Sequence, residues 1–178
     1  MRCLPPCSKE THMSDPIKIH SALAEAMSAR SYDTMTPVQE AVLDIEQPDA
    51  DLLVSAQTGS GKTLAFGLSI ATTLLQEDTE FSRPKLPVAL IIAPTRELAL
   101  QVRKELEWVY ARTKAQFASC VGGMDPRAER RTLESGAHIV VGTPGRLRDH
   151  IERGALRLSD IKAVVLDEAD EMLDMGFR

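Results

Sequence analysis

The sequence predicts an α/β fold, a parallel β-sheet flanked by helices, and three observations predict it. Strand-like runs such as Val88 to Ala93 are continuously apolar, the pattern of strands buried on both faces. Amphipathic stretches of helical period lie between those runs. The alternation persists along a chain of 178 residues, a length that suits one domain with its own core.

The elements follow in order. Residues 1–13, with Cys3, Pro5, Pro6 and Cys7, show no periodicity and read as a disordered leader or a remnant foreign to the domain. Met13 then serves as a native start, and the domain occupies 14–178. Ile19, Leu23, Ala26 and Met27 recur at helical spacing over 19–30. Thr36-Pro37 opens a second helix carrying Val38, Val42 and Ile45, stopped by Pro48. Leu52 to Val54 reads as a short strand, and Gly61 to Leu75 as a helix. Residues 76–87 are charged, with two prolines, and form a surface loop. Further strands are expected at Val88–Ala93, Gln116–Val121, His138–Val141 and Lys162–Leu166. The clearest intervening helix, 96–111, carries Leu98, Val102, Leu106 and Val109 on one face.

Composition narrows the function classes. Net charge is −5, with 21 basic and 26 acidic residues, which argues against a polyelectrolyte that coats nucleic acid. Only over residues 93–150 do basic residues outnumber acidic ones, so local contact with phosphates is expected there if anywhere. Aromatics make up 4%, too few for a face of stacked bases. Three cysteines are too few and too scattered for a secreted disulfide scaffold, so the cytoplasm is the expected location. The longest apolar run falls far short of the roughly 18 residues of a membrane span.

Two motifs carry chemistry. Residues 56–63 read AQTGSGKT between an apolar run and a helix, the setting of a phosphate-binding loop, with Ala56 where the general pattern has its first glycine. Gly59 and Gly61 let backbone N–H groups curl around phosphates, together with Gln57, Thr58 and Ser60. The following helix points its positive end at the same anion. Lys62 supplies a point charge, and Thr63 a hydroxyl for Mg²⁺. The second motif, Asp167-Glu168-Ala169-Asp170, follows an apolar run, where parallel sheets bind ligands. Asp167 is placed to hold Mg²⁺ and Glu168 to orient and deprotonate water. The plainer reading is an acidic helix start favoured by the helix dipole.

With these motifs the chain resembles the N-terminal RecA-like domain of a DEAD-box RNA helicase, a P-loop NTPase, over about residues 17–178. Thr36-Pro37-Val38-Gln39 resembles the Q motif, and its glutamine matches the adenine edge because an amide donates and accepts at once. Tyr32 resembles the aromatic beside the base. Pro94-Thr95-Arg96-Glu97-Leu98-Ala99 resembles motif Ia, Gly122-Gly123 the GG motif, and Thr143-Pro144-Gly145-Arg146 motif Ib. Thr95 and Thr143 also read as simple helix caps, and Gly122-Gly123 as a turn. Arg127, Arg130 and Arg131 read as a solvated basic face.

The resemblance implies ATP or ADP with Mg²⁺ at Tyr32, Gln39 and the loop 56–63, and catalytic roles for Lys62, Asp167 and Glu168. It implies RNA held through its backbone, without sequence preference, by the Ia, GG and Ib residues. The family's upstream phenylalanine is missing, since Ile17 to His20 is aliphatic and polar and Phe66 comes first. Its Ser-Ala-Thr motif and second RecA-like domain are not in this sequence either, so the domain is expected to be incomplete at its C-terminus. A slot should then open in the middle of the sheet, between the phosphate-loop strand and the strand entering Asp167. The full parent is then an RNA-dependent ATPase that unwinds duplexes, while this chain binds nucleotide weakly without turnover. Another nucleic-acid-dependent P-loop ATPase and a non-catalytic scaffold are the rival readings.

Overall fold

The four strands that form are short, apolar and parallel, as continuous burial requires. They are β1 (Ala89–Ile92), β2 (Phe117–Cys120), β3 (Ile139–Gly142) and β4 (Ala163–Leu166), in the spatial order β2-β3-β1-β4. Ala89 is level with Ile139 on one side and Ala163 on the other. The computed structural model describes residues 19–32, 34–45 and 51–177. The leader at 1–13 and the stop at Pro48 therefore lie outside the described residues.

Seven helices surround the sheet among the described residues. They are α1 (Ser21–Ser28), α2 (Pro37–Leu43), α3 (Lys62–Leu75), α4 (Arg96–Val109), α5 (Pro126–Ser135), α6 (Pro144–Glu152) and α7 (Ala169–Asp174). Each expected helix and four of the five expected strands form, with ends shifted by one or more residues. Strand alternation divides the core. Ala89, Ile91, Ile139 and Val141 pack with α1, α3 and α4, while Leu90, Val140, Ala118 and Cys120 pack with Leu147 and Leu156. Tyr110, fully buried, donates its hydroxyl to Gly67 O at 2.7 Å and ties α4 to α3. His138 accepts from Gln116 N at 2.9 Å, bonds Ser82 O at 2.7 Å and stacks on Phe81. It pins the loop 76–87 and is structural.

The expected strand Leu52–Val54 does not form, and Leu53 is 98% exposed. Apolar content alone does not make a strand, which exists only as half of a ladder. The sheet ends instead at β4, where Val164 and Leu166 are 57% and 58% exposed. The structure thus shows an open edge at β4, not a slot between two strands.

Packing leaves no room where β3 ends. A Cβ on Gly142 would lie 2.5 Å from Cys120 O and 2.8 Å from Leu147 Cδ2. The backbone of β2 cannot yield, so Gly142→Ala should destabilise the chain by about 1–3 kcal/mol through overpacking. Urea denaturation checks this, and unchanged stability would mean that β2 moves freely.

Candidate functional site

The phosphate loop is shaped by two left-handed glycines. Gly59 has φ +81°, and Gly61, with φ +90°, caps α3. The first turn of α3 leaves its N–H groups free at that point, the ready-made anion site of a helix start. Lys62 lies in this turn and donates from Nζ to Ala56 O at 2.7 Å, folding its ammonium back over the loop. Ser60 Oγ is buried without a hydrogen-bond partner.

Gln39 is fully buried. It sits at the N3 position of α2, where its Oε1 accepts from Thr36 N at 3.0 Å, half of a capping box. Its Nε2 donates to Tyr32 OH at 3.0 Å and to Gly61 O at 3.2 Å. The glutamine is thus not an exposed helix residue. It joins α2 directly to the phosphate loop, with Tyr32 as its third support. Tyr32 in turn packs against Trp108, at 6.3 Å between rings.

β4 delivers the acidic pair. Asp167 is 7% exposed, and its N–H is spent on Ile92 O at 2.9 Å. Burial, reinforced by Glu168, raises its carboxyl above the usual range, and Lys62 opposes the shift. Lys62 and Asp167 therefore sense each other across the carboxyl end of the sheet. Glu168 has φ 51° and ψ 53°, a left-handed conformation that costs a non-glycine residue energy. Asp170 is exposed in the first turn of α7. The donor set fits a Mg²⁺–phosphate group: a lysine, free helix N–H groups, an orphaned serine hydroxyl and a carboxylate short of compensating charge.

The Ia, GG and Ib residues come together in a groove of about 540 Å³. Pro94, Arg96, Gly122, Thr143, Gly145 and Arg146 line it, and Asp149 and Phe177 complete its wall. Gly123 and Pro144 adjoin it in sequence. The two threonines differ. Thr95 Oγ1 accepts from Leu98 N at 3.3 Å and caps α4, whereas Thr143 makes no side-chain cap bond. Arg96 is exposed and donates to Gly122 O at 3.2 Å. Arg146 is only 15% exposed, reaching Met124 O at 3.4 Å and the Glu129 carboxylate at 3.5 Å. Asp149, Phe177, Glu129 and Cys120 carried no signal in the sequence reading. Burial, then Glu129, pushes the Cys120 thiol up to about 12.

The model of the DEAD/DEAH box helicase family matches residues 36–178. The chain belongs to that family. This helicase domain is 40% identical over 159 residues to the DEAD-box ATP-dependent RNA helicase CshA of Bacillus subtilis, covering 89% of this chain and 31% of the relative. It is 44% identical over 156 residues to DEAD-box ATP-dependent RNA helicase 53 of Oryza sativa subsp. japonica, covering 87% of this chain and 25% of that one. The crystal structure of a DEAD box protein from Methanococcus jannaschii superposes with a TM-score of 0.79 at 35% identity, covering 90% of this chain and 42% of the other. The helicase domain thus spans about a third or less of its curated relatives. The alternation of strand and helix, with a parallel sheet, agrees with the RecA-like fold of those structures. No helix among the described residues is long and apolar enough to cross a membrane.

Proposed function

We propose that this chain is the ATP-binding domain of an ATP-dependent RNA helicase, and that its full parent couples ATP hydrolysis to local strand separation. The observation that carries the reading is the bond from Gln39 to Gly61 O beside Lys62, whose charge favours the ionised form of Asp167. This supports a reading in which Gln39, Lys62 and Asp167 serve one nucleotide together. Tyr32, Gln39 and residues 56–63 hold ATP or ADP, and the free N–H groups of α3 with Lys62 take the phosphates. Thr63 and Asp167 hold Mg²⁺, which supplies charge compensation to the phosphate oxygens. Glu168 orients water and accepts its proton. To reach a phosphate, Lys62 releases Ala56 O. To read adenine, Gln39 exchanges one of its present partners for the base.

The groove of Pro94, Arg96, Gly122, Thr143, Gly145 and Arg146 holds an RNA backbone, with Gly123, Thr95 and Pro144 beside it. Its two arginines and the glycine backbone offer charge and N–H groups to phosphates, which suits binding without sequence preference. The unpaired Thr143 hydroxyl is the better phosphate ligand of the two threonines. The cytoplasm suits the free, buried thiol of Cys120.

Calorimetric titration with ADP and then GDP, in Mg²⁺, tests the reading. ADP should bind weakly and GDP not measurably, and ATP turnover should stay at background with or without RNA until a second domain is present. Equal binding of both nucleotides would remove the adenine reading, and RNA-stimulated turnover by this chain alone would remove the requirement for a partner domain.

A further inference from the structure

Beside the groove, reached through Arg146, lies a cluster of which the proposed chemistry uses only that arginine. Glu129 on α5 is a carboxylate only 5% exposed, and His150 on α6 is 2% exposed. Glu129 Oε1 accepts from Val121 N at 2.9 Å, at the exit of β2 and directly before Gly122-Gly123. Its Oε2 accepts from His150 Nε2 at 2.7 Å and lies 3.5 Å from Arg146 Nη1. One side chain thus fastens the GG loop to the helix that begins with motif Ib. Buried acceptors of this kind fix a single arrangement, because breaking any bond strands a polar group away from water.

The loop is held from both flanks. Arg96, at the start of α4, donates to Gly122 O, and Arg146, near the start of α6, reaches Met124 O. Arg146 is mostly covered, and what is left exposed lines the groove. Cys120 Sγ, Glu129 and His150 place ligand atoms within 4.8 Å of one another, a set that would suit a cation. The guanidinium of Arg146 already supplies the positive charge beside that carboxylate, and the short bond to His150 closes the space.

We propose that Glu129 is a positioning residue for the groove: through Val121, His150 and Arg146 it sets where the Gly122-Gly123 backbone and the start of α6 stand toward an RNA strand. This rests on the reading of the groove as an RNA site. The charge of Glu129 acts through Arg146, so the effect on RNA of neutralising it, with the Val121 acceptor kept, disappears when Arg146 is removed.

The test is a double-mutant cycle on the whole chain. Glu129→Gln keeps an acceptor for Val121 N and removes the charge that holds Arg146. Anisotropy with a labelled single-stranded RNA reads affinity, and ¹⁵N NMR reads hydrogen exchange at the Arg146 side chain and the Val121 amide. We expect Glu129→Gln to weaken RNA binding about fivefold, the scale of coupling between contacting residues. Arg146 exchange should accelerate while Val121 stays protected. In an Arg146→Ala background the same substitution should change RNA affinity less than about twofold. Independent effects in the double variant, or unchanged Arg146 exchange, would overturn the proposal, as would tight Zn²⁺ binding that Cys120→Ser removes. A wild-type chain that binds no RNA would sink the RNA reading, and the exchange data would then decide alone whether Glu129 holds Arg146.

Discussion

Gly61→Ala is expected to lower ADP affinity at least tenfold, at a cost in stability of about 2 kcal/mol. Two effects add. The residue holds φ +90°, which costs an alanine roughly 1 kcal/mol or more. A Cβ there would also lie 2.4 Å from Gln39 Nε2 and 3.2 Å from Thr36 Oγ1. Gln39 cannot step aside, because it is fully buried and bonded to Thr36 and Tyr32. Either the loop opens, or the glutamine loses its bond to Gly61 O, worth about 1 kcal/mol. Gly59→Ala separates the two effects. Its φ is +81°, but nothing lies within 4 Å of an added Cβ, so it carries the strain alone. Titration with ADP and a thermal melt of both variants check this. Equal losses at the two positions would mean that the contact with Gln39 contributes nothing.

The parts of this molecule governed by local pattern were legible in the sequence. Thr36-Pro37 starts a helix because proline suits the first helical position, and Ala89–Ile92 is a strand because both faces are covered. Leu52–Val54 misled because pairing is not a local property: the same apolar composition yields a strand only where a neighbour offers its edge. Thr95 and Thr143 were indistinguishable in sequence, each standing before a helix after a strand. Only the geometry separates the hydroxyl that caps from the one that does not. Gln39 stood out in the sequence for its amide, but its partners include Gly61, 22 residues away, which no local pattern reveals. Glu129 was invisible for the same reason. Amid arginines on a polar helix it reads as a surface charge, and its burial depends on Val121, Arg146 and His150, which the fold brings together.

Asp167→Asn should raise the melting temperature of the unliganded chain while sharply reducing its response to Mg²⁺. The carboxyl is buried, and its ordinary value is raised first by burial and then by Glu168. A group whose value is raised on folding favours the protonated form, so at neutral pH its charge opposes folding. The cost appears as pH rises from the ordinary carboxylate range through the raised value, and it is constant above that. The amide has the same shape without the charge, so it should melt higher than wild type at neutral pH. The difference should shrink as pH falls into the ordinary carboxylate range, where wild type also becomes neutral. The functional effect runs the other way. Losing the carboxylate should weaken Mg²⁺-dependent nucleotide binding about 10- to 100-fold, as changes around a metal site commonly do. Added Mg²⁺ and ADP should then stabilise wild type far more than the variant, since a ligand raises stability only as far as it binds. Melts across pH, with and without Mg²⁺ and ADP, read both effects. If the variant melts lower than wild type at neutral pH without ligand, Asp167 is a structural anchor. If it is stabilised equally by Mg²⁺ and ADP, the ion is held elsewhere. The expected pattern requires a carboxylate whose buried charge opposes folding until a cation compensates it, which is the behaviour of a metal ligand rather than of a helix cap.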